Sequence, residues 1–226
     1  MKRVPSAADP GAAPRKPRGR PRSFDRAAAL EAALQVFWEK GYEAASIIDL
    51  TEAMGINPPS LYAAFGDKEK LFLEAAETYA QARGRSCPYC EEPTARGAIE
   101  HLLTYMAKDL TETSHPRGCM MMMAAATVTD TSPQLQKALA EMRSGARNRM
   151  KERIKLGIAE GDVPAGTDAN ALADFFSAVV TGMSMQARDG ATRRSLLATV
   201  EQAMSIFPKP PKGAQRNHQH RQAEAA

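Results

Sequence analysis

The chain has 226 residues, 43% hydrophobic and 25% charged, with a formal net charge of +4, the composition of a soluble globular protein that can bury a core in one large domain or two small ones. No run of about 18 apolar residues occurs, which excludes a transmembrane helix, and the basic, proline-rich start lacks the apolar stretch of a signal peptide. Three cysteines make no disulfide framework, so a reducing, cytoplasmic setting is expected.

The charge is unevenly placed. Residues 1 to 22 hold seven Lys/Arg and one Asp, a balance of +6, and residues 209 to 226 hold four Lys/Arg and one Glu, a balance of +3, which leaves residues 23 to 208 at −5. A basic arm on an acidic body is expected to meet a polyanion, and a solubilising tail is the competing reading. Both ends are expected to be disordered, and the C-terminal one is taken as a tail.

Behind the arm, Ser23 or Asp25 caps a predicted helix running to about Lys40, where Leu30, Leu34 and Trp38 with Ala33 and Phe37 make one buried face. Gly41 stops it. Ser46 caps a short second helix, IIDLTEAM, ended by Gly55, and Asn57 caps a third that begins Pro58-Pro59. Proline inside a helix costs about 3 kcal/mol, but the first helical positions have no intrahelical N–H partner to lose. Gly66 breaks this helix, and Asp67 caps a longer one carrying Leu71, Ala75 and Tyr79 inward. Two short helices joined by three residues around a glycine, each burying one face, have the form of a helix-turn-helix. The helix at Asn57 is then the recognition helix, its N-terminal turn facing outward.

The stretch GYEAASIIDLTEAMGINPPSLYAAFGDKEKLF, preceded by ALEAALQVFWEKGY, resembles the DNA-binding domain of the TetR/AcrR family of bacterial regulators. The likeness lies in the FWEKGY end of the first helix, the Gly-Ile turn, Ser-Leu-Tyr in the recognition helix and Phe-Gly-Asp-Lys at the fourth. It implies an all-α fold with a helix-turn-helix domain over residues 23 to 83 and a helical ligand-binding and dimerisation domain over residues 84 to 208. It also places Ser46, Pro58, Pro59, Ser60, Tyr62, Ala63 and Lys68 at DNA-facing positions, with Tyr62 and Lys68 on phosphates. Ala45 and Ala64 depart from the family by removing polar contacts. Residues 23 to 82 carry four Lys/Arg against ten Asp/Glu, so most counterion release must come from elsewhere. The arm's Arg18-Gly19-Arg20-Pro21 resembles an AT-hook, in which an extended Arg-Gly-Arg lies in a narrow A·T minor groove. Arg18 and Arg20 are its expected DNA contacts.

Beyond residue 90 the chain reads as helices without a strand signal. They open near Thr94, at Pro116 (RGCMMMMAAATV, apolar on every face), at Ser132-Pro133, at Asp168 and at Thr192. Leu135, Leu139, Met142, Ala146, Met150, Ile154 and Ile158 are expected to form an inward seam. Leu172, Phe175, Phe176, Val179 and Met183 form another, and Leu196, Val200, Ala203 and Phe207 a third. By the resemblance, the last two helices pack against a second copy as a homodimer, with Ala178 and Gly182 permitting close approach. An apolar or amphipathic effector would lie near Met106, Cys119, Met120, Met123, Phe176 and Met183, where flexible methionines accept varied ligands; core filling is the alternative. The stripe Arg143, Arg147, Lys151 and Lys155, with Arg149 and Arg153 alongside, is either a solvated face or the entrance for an anionic ligand.

Cys87-Pro-Tyr-Cys90 has the spacing of a dithiol or half a zinc site. Arg83 and Arg85 upstream favour a thiolate, and Glu91 and Glu92 downstream oppose it. A zinc site would need two more ligands, with only Cys119, His101 and His115 nearby in sequence, and neither metal nor cofactor is expected. Two of the four histidines, His218 and His220, lie in the tail, and no paired acid–base or nucleophile signature points to an enzyme. The expected function is a homodimeric transcriptional repressor released from a palindromic double-stranded operator by a small molecule. A redox or electrophile sensor acting through Cys87 and Cys90, and an AT-hook architectural protein without effector, are the alternatives.

Overall fold

A computed structural model describes residues 24–85, 91–127 and 132–209. The basic arm with Arg18 and Arg20, the Cys87–Cys90 pair and the tail beyond residue 209 lie outside the described residues. Among those described, every regular element is an α-helix.

The first four helices are α1 (Arg26–Ala44), α2 (Ile47–Met54), α3 (Pro58–Phe65) and α4 (Lys68–Arg85). Local chemistry sets their ends. The Asp25 carboxylate accepts from the amides of Ala27 and Ala28 to open α1. Gly41, at φ 80°, kinks that helix before its last residues, as a residue without Cβ can. Ser46 and Asp49 bond each other's backbone in a reciprocal cap on α2. Gly55 closes α2 in the left-handed region, and Asn57 Oδ1 accepts from Ser60 N–H to start α3 with both prolines in its first turn. Leu50, Leu61, Phe65, Leu71 and Phe72 are buried between these helices. Phe72 meets Phe37 and Tyr42 edge-on at 4.9 and 5.2 Å between ring centres. Each such side chain contributes about 1.5–3 kcal/mol by leaving water, which fixes the two short helices on a rigid base.

The second group is α5 (Ala95–Asp109), α6 (Met120–Thr127), α7 (Pro133–Glu160), α8 (Ala169–Arg188) and α9 (Arg193–Ser205). Thr94, Asp168 and Thr192 cap α5, α8 and α9 through their side chains. The helix expected from Pro116 starts four residues later, at Met120. Long-range hydrogen bonds hold Gly118 at φ 84°: its N–H donates to Leu110 O at 3.1 Å, and its carbonyl accepts from Trp38 Nε1 at 3.0 Å. A Cβ there would lie 3.0 Å from the Ser184 carbonyl oxygen.

The expected seams are mostly internal, with five differences. Met142, Ala146 and Ile158 on α7 and Val179 on α8 are only half-buried, and Phe175 is 38% exposed on α8. No helix among the described residues is long and apolar enough to cross a membrane.

Candidate DNA interface and interhelical cavity

The turn between α2 and α3 leaves most of the expected DNA-facing residues at the surface. Ser46, Pro58, Pro59 and Ala63 are exposed, Ser60 is half-buried, and Tyr62 is 48% exposed. Ile48, 66% exposed on α2, adds an apolar side chain to this domain's surface that the sequence reading did not single out. Lys68 opens α4 with its Nζ over the Tyr42 ring at 4.6 Å, donating to the Glu43 carbonyl at 3.3 Å. Burial pushes its ammonium pKa down from the ordinary value.

The other basic groups of this domain are committed to acids. Arg26 donates to Glu74 at 2.7 Å, Lys40 to Asp49 at 2.6 Å, and Lys70 meets Asp67 at 3.0 Å. The acidic surplus therefore leaves little free positive charge on the described part of this face.

A cavity of about 170 Å³ lies between α4, α5, α6, α7 and α8. Met106 and Cys119 are on its wall, joined by Met121, Met122 and Met142. Met120, Phe176 and Met183, expected there, are instead fully buried core residues, and Met123 is half-buried away from the wall. Four consecutive methionines turn about 100° per residue, so neighbouring helices decide which two face the space. The basic stripe of α7 also divides. Arg147 pairs with Asp174, and Lys151 and Lys155 lie 3.8 and 3.1 Å from Glu152, whereas Arg143, Arg149 and Arg153 line the cavity.

A cluster that the sequence reading missed joins the two helical groups. Arg83 of α4 pairs with Asp109 at 3.1 Å and lies over the rings of Tyr79 and Trp38, at 3.9 and 4.8 Å. His115 stacks on Trp38 at 4.3 Å. The Tyr79 hydroxyl, its pKa pushed well up by burial, donates to Cys119 Sγ at 3.3 Å and accepts from Met120 N–H at the same distance. The i, i+4 spacing of Tyr79 and Arg83 was the only signal available. Among the described residues no cluster of His, Cys, Asp and Glu is arranged to hold a metal.

An exposed helix-turn-helix and a largely apolar cavity between helices, open at the Arg149 rim, define a two-domain, all-α DNA-binding regulator. Residues 29–75 match the family profile of bacterial regulatory proteins of the tetR family, and residues 95–204 that of the tetracyclin repressor-like C-terminal domain. The chain is 32% identical over 198 residues to the HTH-type transcriptional repressor ComR of Escherichia coli, spanning 86% of this chain and 94% of that relative. It is 30% identical over 190 residues to the HTH-type transcriptional repressor BdcR of the same organism, spanning 82% and 90%. A solved structure of the TetR family transcriptional regulator CifR, a cysteine-substituted form complexed with 26 bp of double-strand operator DNA, superposes with TM-score 0.81 at 45% identity, covering 84% of this chain and 100% of that one. The chain belongs to the TetR family of bacterial transcriptional regulators, which is not a family of enzymes.

Proposed function

We propose that the protein is a homodimeric repressor whose hold on a palindromic operator is released when a small molecule fills the interhelical cavity. The observation that carries this reading is the span of α4. Lys68 at its start adjoins the proposed DNA surface, and Ala80 and Arg83 near its end line the cavity. An 18-residue helix is about 27 Å long at 1.5 Å per residue, so a guest that displaces its cavity end tilts the reading head.

Ser46, Pro58, Pro59, Ser60, Tyr62, Ala63 and Lys68 form the proposed DNA surface, supported by the exposure of all but the half-buried Ser60 and Lys68 and by the two helix N-termini beside them. Arg18 and Arg20 in the arm supply the positive charge that this surface lacks.

The proposed dimer face is on α8. Ala171, Phe175, Ala178, Gly182 and Met185 are all exposed at spacings of four and three residues, the pattern of a helix seam awaiting a partner. Nothing lies within 4 Å of a Cβ built on Gly182. A second copy covers this stripe and sets two recognition helices roughly 34–36 Å, or a multiple, apart.

The test is selection of bound duplexes from a random pool, followed by sedimentation of the complex. A palindromic consensus bound by paired subunits is expected. A non-repeated consensus bound by a single subunit would overturn the dimeric reading.

A further inference from the structure

Three charged side chains of α7 reach the cavity, and their commitments differ. Arg153 lies 3.6 Å from Glu160 and donates from Nη2 to the Glu92 carbonyl at 3.2 Å, so its charge is paired although its Nη1 makes no hydrogen bond. Arg149 is exposed at the rim. Arg143 has neither arrangement. Its Nη1 is sealed from solvent without a hydrogen-bond partner, and no carboxylate among the described residues pairs with it.

A buried donor left without an acceptor is costly, and more so when it carries charge. Such a group calls for an acceptor from outside the chain, a water or a guest. Around it the wall is apolar: Ile99, Leu102, Met106, Met121 and Met142. A dry cavity of roughly 150 Å³ takes a benzene-sized guest, so about 170 Å³ admits a ring or a short chain with one polar end.

We propose that the ligand of this cavity is a small amphipathic monocarboxylate, its apolar body against Met106, Met121 and Met142 and its carboxylate on the Arg143 guanidinium. A planar guanidinium fork matches a carboxylate in two parallel bonds. A dianionic phosphate ester fits less well, because the charge of the neighbouring Arg153 is already paired with Glu160. Burial holds the Arg143 pKa below its ordinary value with no counter-charge to offset it, and the guest supplies that counter-charge. This inference rests on the reading of the cavity as the effector site.

The experiment is calorimetric titration of the full chain with hexanoate and benzoate, each beside its uncharged primary amide, using wild type and Arg143→Gln. Operator release is followed by fluorescence anisotropy on the same samples. The acids should bind more tightly than the amides. Arg143→Gln, checked for an unchanged thermal midpoint, should weaken the acids by at least about tenfold and leave the amides alone. Amides that bind as well as acids, acids indifferent to Arg143→Gln, or no binding of either class would overturn the inference. Acids that bind without releasing DNA leave the anion site standing and remove the effector reading. A neutral compound that releases DNA where no acid binds does the reverse.

Discussion

Trp38, on the first helix of the DNA-binding domain, donates its indole N–H to the carbonyl oxygen of Gly118 at 3.0 Å, two residues before the methionine run begins. The bond is buried, and its acceptor holds the loop that precedes the cavity wall. Trp38 also stacks on His115 and carries Arg83 over its ring. One side chain thus ties α1 to α4 and to the entry of α6. Trp38→Phe leaves the Gly118 carbonyl buried without its donor, which should cost about 1–3 kcal/mol of stability, read by chemical denaturation. Gly118→Ala, at φ 84° with a backbone oxygen 3.0 Å from its new Cβ, should cost at least as much; an unchanged midpoint in both variants would separate this hydrogen bond from the fold.

The exposed stripe of α8 gives a second test. Ala178→Glu or Gly182→Glu would bury an unpaired charge between subunits, at about 3 kcal/mol or more, and should weaken dimerisation more than about a hundredfold. Sedimentation equilibrium is the measurement, with helical circular dichroism retained. Val200 cannot serve here. It is only 4% exposed within its own subunit, so a charge there should unfold the protein instead of dissociating it.

The arm answers to salt. With the domain behind it carrying four Lys/Arg against ten Asp/Glu, deleting residues 1 to 22 should flatten the slope of log K against log salt by about 0.9 for each phosphate that the arm neutralises. An equal slope in both forms would show that the arm does not touch DNA.

The recognition surface divides by role. Tyr62→Phe and Lys68→Ala should weaken binding on every sequence alike, as groups bound to phosphate do, whereas Ser60→Ala should change the selected consensus. A Ser60→Ala protein that selects the wild-type consensus would remove that residue from base reading.

Acid should loosen the cap on α2. The Lys40 ammonium at 2.6 Å, with the Ser46 N–H and hydroxyl at 2.9 and 2.7 Å, holds the Asp49 carboxyl well below the usual carboxylate range. A carboxyl depressed on folding contributes its stability in full above its unfolded value, about 4, and loses it as pH falls through the lower folded value. The gap in thermal midpoint between wild type and Asp49→Asn should therefore be widest near neutral pH and close in acid below about pH 4. The site is solvent-exposed, so the gap should be small and shrink with salt. A gap constant from neutral pH into acid would show that the carboxylate charge plays no part.

What the sequence made legible was local chemistry. Ser46, Asn57, Thr94, Asp168 and Thr192 each cap the helix expected of them, because a cap is decided within three or four residues. The start of α6 was not legible, since Gly118 is shaped by Trp38 and Leu110, both far away in sequence or across a loop. Nor could period alone tell that Met121 and Met122 face the cavity while Met120 packs in the core. Phe175 and Phe176 are adjacent and equally apolar, yet one is exposed and the other fully buried. Hydrophobic spacing marks a face for burial without saying whether its own subunit or another covers it.

The central claim is that what fills the cavity sets the affinity for DNA. Operator affinity should be measured by anisotropy with and without a saturating cavity ligand, in wild type and in Ala146→Leu and Ala146→Phe, which occupy space on the cavity wall. Wild type should lose between about fivefold and 150-fold in affinity when the ligand is present, and the filled variants should bind operator equally with and without it. Filled variants that respond as wild type does would place the ligand elsewhere and contradict the account.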